Sequence, residues 1–263
     1  MPEGICPLCL DPKEKRLYKS HYMPAALYPK GRKLEYATRV STGTLQNENQ
    51  IKNPLFCFDC EQRFDKNGES EVMRWINPKG KRSLLSERLE VALPRDPHPT
   101  LSRYSGDDLG MDMDKFAYFA ISMVWRGAVH DWVMFDGTIR PRTQLGAFLE
   151  PMRLYLIGEA PMPPDTSVIV IVTNDDQSRK VWTMPSLHIE ADCLNFRFLA
   201  YGMFFRVMMG RHMWDYFRHQ SCVSPRKCLF YGSAKHRMPE IMQIFEDAPP
   251  RTLPLEGDGA NAT

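Results

Sequence analysis

Long apolar runs are missing from this sequence. The longest nearly unbroken one, Phe116 to Trp125, is far too short to span a bilayer, which takes about 20 residues. The opening stretch, Met1-Pro-Glu-Gly-Ile-Cys6, lacks the basic and apolar regions of a secretory signal. Charge of one sign is also scarce: 34 Lys and Arg stand against 32 Asp and Glu, a formal net charge of +2 that says little about partners. No internal repeat is present. These absences lead to the expectation of a cytoplasmic protein with no membrane partner. Thiols stay reduced in that compartment, so paired cysteines read as metal ligands before disulfides.

What is present is enough for one large domain or two ordinary ones: 263 residues, 43% apolar and 25% charged, the composition of a globular chain with a real core. The charge is unevenly placed. Residues 1–95 hold 17 Lys and Arg against 12 Asp and Glu, so a basic N-terminal part precedes a mildly acidic remainder. That bias is compatible with nucleic acid binding at the N-terminal end.

Four segments follow from composition. Residues 1–75 are polar, rich in Cys, Lys and turn formers, and too poor in apolar stretches to fold by hydrophobic burial alone; a metal would help. Residues 76–110 read as a linker, with a short amphipathic piece from Leu84 to Leu93 and then Pro94-Arg-Asp-Pro-His-Pro99, whose prolines exclude regular structure. Residues 111–247 read as an α+β domain, helices first and an antiparallel sheet after them. The period of Phe116, Phe119, Ala120, Met123 and Val124 predicts a buried helix from Asp114 to about Phe135, and a second helix is expected from Thr143 to Ile157. Val168 to Val172 reads as a buried strand, and Asn195–Leu199 with Met203–Met208 as a hairpin about Tyr201-Gly202. Residues 248–263 are expected to be disordered.

Chemistry is concentrated in two C-x-x-C pairs, Cys6-Pro-Leu-Cys9 and Cys57-Phe-Asp-Cys60, separated by 47 residues. Two such pairs supply the four thiolates of a tetrahedral structural zinc site. The other readings are coincidence and a redox C-x-x-C, which wants a βαβ context that is absent here. Cys193, Cys222 and Cys228 have no partner at ligand spacing and read as ordinary buried thiols.

Between the pairs lie Ser20-His21-Tyr-Met-Pro24, a basic loop around Lys30, Arg32 and Lys33, and then Asn53-Pro-Leu-Phe-Cys57. The second pair runs directly into Glu61. This order resembles the HNH (ββα-metal) endonucleases, in which two cysteine knuckles clamp a structural zinc around a hairpin and a helix. The resemblance covers about residues 1–75. It implies a zinc-stapled ββα, treble-clef-like module at the N-terminus, with His21 as general base, Asn53 as the loop-positioning Asn, and Glu61 where the last metal-binding His usually stands. Two positions depart from the pattern: Ser20 replaces the usual acidic residue before the first His, and Glu61 replaces the final His.

The resemblance implies hydrolysis of DNA phosphodiesters, and the divergent pattern resembles a branch used in defence or mobile elements. A neutral imidazole can take a water proton near neutral pH. A divalent ion can neutralise the phosphate and leaving oxygens, and the hard oxygen of Glu61 suits Mg2+ or Mn2+. Lys30, Arg32 and Lys33 could follow the phosphate backbone. The C-terminal domain would then serve target choice, self-association or a regulatory protein partner. Each residue also has a plainer reading. His21 could be a packed structural His or a zinc ligand, Glu61 an exposed carboxylate in the first turn of a helix, Asn53 a turn residue, and the three cations a solvated loop. The alternative function is a catalytically inactive zinc-finger module that binds nucleic acid or protein. His130 with Asp131, and His212 with Asp215 and His219, read as packing residues with polar tips. Arg197 and Arg206, alternating with aromatics, read as the solvent face of a hairpin.

Overall fold

The computed structural model describes residues 2–28, 37–40, 43–46, 50–76, 84–134, 137–173, 178, 181–190, 192–211, 213 and 215–232. The loop holding Lys30, Arg32 and Lys33, the turn at Asn174, His212 and the tail 248–263 lie outside these residues.

The N-terminal part opens with two very short strands, β1 (Glu3–Gly4) and β2 (Lys15–Arg16), paired antiparallel around the first cysteine knuckle. Next come β3 (Tyr18–His21), β4 (Ala37–Val40), β5 (Gly43–Gln46) and β6 (Lys52–Phe56). β3 pairs antiparallel with β6, setting Ser20 opposite Asn53 and His21 opposite Lys52, with a register irregularity at Tyr18/Lys19. β6 leads into α1 (Phe58–Phe64), a π-helical stretch over Asp65–Glu69, and α2 (Ser70–Ile76), which together make one long helical segment. The π stretch places Gly68 against the backbone of the central helix described next. A Cβ at Gly68 would meet Phe119 Cα and N at 3.0 Å, so the approach requires a residue without a side chain.

The stretch expected as a linker carries regular structure: α3 (Leu84–Val91), β7 (Leu101–Ser105) and α4 (Gly106–Leu109). α5 (Met113–Val129) follows, capped by the Asp112 side chain accepting from Lys115 N. It is buried on nearly every face, as a helix apolar all round must be. It ends six residues before the expected Phe135. Trp132 Nε1 takes up the Arg126 carbonyl at 2.9 Å, satisfying one of the last-turn acceptors, and the chain turns into β8 (Trp132–Val133) and β9 (Ile139–Arg140). His130 and Asp131 are therefore not on a helix: His130 is extended, and Asp131 accepts from Arg142 N at 2.8 Å. α6 (Leu149–Ile157) tolerates Pro151 because the ring falls in its first turn, and a turn of 3-10 helix over Gly146–Phe148 precedes it.

The remaining elements are β10 (Thr166–Thr173), β11 (Val181–Thr183), β12 (Ser186–Glu190), β13 (Cys193–Ala200), β14 (Met203–Met209), α7 (Asp215–His219) and β15 (Cys228–Gly232). The chain is a mixed α+β structure. Its main sheet runs β5-β4-β11-β13-β14-β10-β15-β7, with β12 also paired to β13. The expected hairpin forms as β13–β14. Two expectations are corrected. The sheet is mixed rather than antiparallel, because β10–β15 and β11–β4 are parallel, and it recruits β4 and β5 from between the knuckles. Arg197 is also buried rather than at a solvent face: a second apolar cluster including Ile169, Leu199, Phe204 and Phe230 covers the other side of the sheet, so both faces are occupied. The larger core is continuous from Cys6 and Leu8 through Phe56, Phe64 and α5 to Phe198 and Phe205. Cys193, Cys222 and Cys228 are buried thiols, as expected.

Candidate metal centre

The first knuckle is a tight reversal. Leu10 N donates to the Cys6 carbonyl at 2.9 Å, and Leu10 itself is left-handed at φ 51°. Its amides and side chains turn Cys6 and Cys9 toward the same point. The second pair uses a helix start. Cys57 is the N-cap of α1, its carbonyl accepts from Glu61 N at 3.0 Å, and Cys60 stands in the first turn. Ligand atoms of the four cysteines all lie within 4.8 Å of one another, with Cys9 Sγ and Cys57 Sγ 3.9 Å apart. A tetrahedron with zinc–sulfur bonds of about 2.3 Å has edges of about 3.8 Å, so the arrangement fits a metal ion such as zinc.

The thiols do not behave alike. Cys6 is lowered to about 5, chiefly because the Cys60 thiol donates to it, with backbone amides helping and burial opposing. Cys60 is pushed up, first by giving its proton to that bond and then by burial, and burial also pushes Cys57 up. One thiolate is thus favoured and further ones are resisted by desolvation and by the first charge. A divalent cation removes that resistance, which is why a thiolate cage and its metal form together.

Helix α6 holds the first knuckle from outside. Arg153 Nη1 donates to the Leu8 carbonyl at 2.8 Å while Glu150 grips the same guanidinium at 2.8 and 2.6 Å. Arg63, one turn beyond the second knuckle, donates to the Ile157 carbonyl at 2.5 Å. The two knuckles are therefore tied to α6 at its middle, through Arg153, and at its C-terminal end, through Ile157.

His21 ends β3. Its Nε2 lies 2.9 Å from Gln50 Oε1, which also receives Lys52 Nζ at 3.2 Å. An ammonium can only donate, so that Gln50 atom is the acceptor and His21 Nε2 the donor; in the neutral ring the lone pair would then be on Nδ1. Ser20, in the position before it, is fully buried, accepting from Phe56 N at 3.0 Å and donating to the Tyr18 carbonyl at 3.2 Å. It mends the irregular register of β3 and β6. Asn53 sits opposite Ser20, and because neighbours along a strand alternate faces, its side chain is directed away from that of His21. Asn53 Nδ2 and Glu61 Oε1 are buried and find no hydrogen-bond partner among the described residues.

The chain matches no known protein family, no curated protein and no solved structure. Its chemistry therefore rests on the residues themselves. Among the described residues, the four cysteines are the one group of three or more His, Cys, Asp or Glu close enough to share an ion; neither His21 nor Glu61 belongs to another. No helix among them is long and apolar enough to cross a membrane.

Sequence reasoning missed the residue that organises this region. Arg126, from the middle of α5, donates to the His21 carbonyl at 3.1 Å and the Tyr22 carbonyl at 3.4 Å, and pairs with Glu69 of the π stretch. Its guanidinium lies 4.3 Å from the centroid of the Phe64 ring. Burial pushes the Glu69 carboxyl up, Arg126 pulls it back, and Glu61 and Asp65 add negative charge nearby. A charged side chain beyond the first turn of a helix whose body is otherwise apolar was the available signal.

Proposed function

We propose that the N-terminal part is a zinc-stapled HNH-like module of ββα form that hydrolyses DNA phosphodiesters, with His21 as general base. The observation that carries this reading is the placement of His21: half-buried, at a strand end, with Nε2 2.9 Å from Gln50 Oε1, a contact that in the neutral ring would keep the proton on Nε2 and leave Nδ1 to accept one. Supporting it is the antiparallel pair β3–β6, which runs into helix α1 at the second knuckle, with β4 and β5 inserted between the paired strands. His21 takes the proton of an attacking water, and Gln50 keeps the imidazole in the tautomer this requires. Glu61, whose buried oxygen has no partner among the described residues, is the residue we assign to hold Mg2+ or Mn2+; such an ion would supply charge neutralisation at the phosphate.

One observation favours a second reading, a zinc module that binds nucleic acid or protein without cutting. Ser20 is sealed in the strand pairing and has no oxygen to offer a cation. Plasmid cleavage separates the two readings. Wild type and His21→Ala are compared with Mg2+, Mn2+ and chelator, with zinc content measured on both. Cleavage by wild type alone, at equal zinc, supports the base. Equal cutting by both removes His21 from the mechanism. No cutting by either leaves the binding module.

A further inference from the structure

The β3–β6 ribbon has two unlike faces. Directly opposed residues of an antiparallel pair share a face, and residues two apart along a strand share it too. Ser20 and Asn53 are on the inner one, where Ser20 is fully buried. His21 and its opposite Lys52 are on the outer one, together with Lys19 and its opposite Pro54. Lys19, Lys52 and Pro54 are exposed. Among the described residues, neither lysine is in an ion pair; the Lys52 ammonium donates to the neutral Gln50, and no side-chain hydrogen bond engages Lys19. Two lysines are thus anchored on paired strands, one across from His21 and one two residues before it, with no acid paired to either among the described residues.

We infer that Lys19 and Lys52 form a phosphate-binding pair that seats the backbone of duplex DNA across His21. The inference deepens the nuclease reading and rests on it for the role of His21. It is independent of the loop holding Lys30, Arg32 and Lys33. The ammonium of Lys52 remains free to turn from Gln50 to a phosphate oxygen, since its stem is flexible and the amide it leaves still holds the ring. Strand-borne cations fix where a phosphate sits relative to the base more narrowly than loop-borne ones, which is what an in-line attack on phosphorus demands.

The test uses the full chain and a fluorescently labelled 20-base-pair duplex, without added divalent ion, over a salt series. Wild type is compared with Lys19→Gln/Lys52→Gln, Lys19→Arg/Lys52→Arg and Arg88→Gln, an exposed cation on α3. Both lysines are exposed, so the melting temperature and zinc content should not change. The double glutamine variant should bind about tenfold more weakly and lower the salt slope by about two. The double arginine variant and Arg88→Gln should match wild type. Equal binding by the double glutamine variant, or no DNA binding by wild type at the lowest salt, overturns the inference. Cleavage with Mg2+ on the same proteins separates the two proposals. Binding that depends on the lysines with no cleavage by wild type removes the nuclease reading and keeps the phosphate pair. Cleavage undiminished in the double glutamine variant does the reverse.

Discussion

Arg126 and Glu69 form an ion pair inside the protein, 57 residues apart in sequence, with side-chain exposures of 2% and 16%. The same guanidinium holds the carbonyls of His21 and Tyr22, so the end of β3, the π stretch and α5 meet at one charge. Burial opposes the charges of such a pair, and their mutual attraction and the added carbonyl bonds compensate in part. Removing one partner leaves the other as an uncompensated buried charge.

Arg126→Met should therefore cost about 3–5 kcal/mol in denaturant unfolding. Glu69→Gln alone should cost less, because the amide oxygen still accepts from the guanidinium. In Arg126→Met/Glu69→Leu, much of the loss should return. If the single and double variants are equally unstable, the carbonyl bonds to His21 and Tyr22, rather than the ion pair, hold the junction.

Elemental analysis should find one zinc per chain, and Cys60→Ser should abolish it. Withdrawal of the metal should lower the melting temperature by about 10 °C or more, since thiolate sites contribute their binding energy to folding. Through Arg153 and the Leu8 carbonyl, the loss should reach α6. Hydrogen exchange over residues 149–157 should accelerate in the metal-free protein, and unchanged protection there would separate the knuckle from the helix.

Gly68→Ala sets helix propensity against packing. Alanine is better in a helix by about 1 kcal/mol. The new methyl, however, would press on the Phe119 backbone at 3.0 Å, and overpacking a rigid contact costs about 1–3 kcal/mol. Packing should win, giving a net loss in thermal or chemical unfolding. A gain would mean that the helical segment and α5 can separate without cost.

Glu71 gives a pH dependence. Burial opposes its ionisation, but Trp75 Nε1 at 2.8 Å, Arg74 at 2.9 Å and Asp112 N at 3.4 Å hold its carboxyl below the ordinary range. A carboxyl lowered on folding stabilises fully above its unfolded pKa of about 4.3, and that contribution is lost as pH falls through the folded value. The stability difference between wild type and Glu71→Gln should be largest near neutral pH and shrink below about pH 4.3. A constant difference across that range would show that the contact is not ionic.

Much of the local structure could be read from residue order. The helical period around Phe116 and Phe119 placed α5, and the β-branched run from Val168 placed β10, with errors only at their ends. The overrun of α5 has a simple cause. Trp132 and Val133 continue an apolar pattern, and only the indole bond back to Arg126 shows that the helix has already stopped. At the candidate site, His21 could be named but not Gln50, which lies 29 residues away and fixes its tautomer. Ser20 read as a departure from the nuclease pattern, while its packing shows a structural task in the strand pairing.

By itself the sequence determined what depends on near neighbours: two knuckles at chelating spacing, the apolar periods of helices and strands, and proline-rich interruptions. These are short-range matters of chain geometry and side-chain alternation. Only the tertiary structure decided which surfaces meet. It brought Arg153 to Leu8 across 145 residues, drew β4 into a sheet with β11, and buried Arg126 beside Glu69. The reason is that strand partners and buried charges are selected by what lies across the core, and residue spacing along the chain carries no record of that.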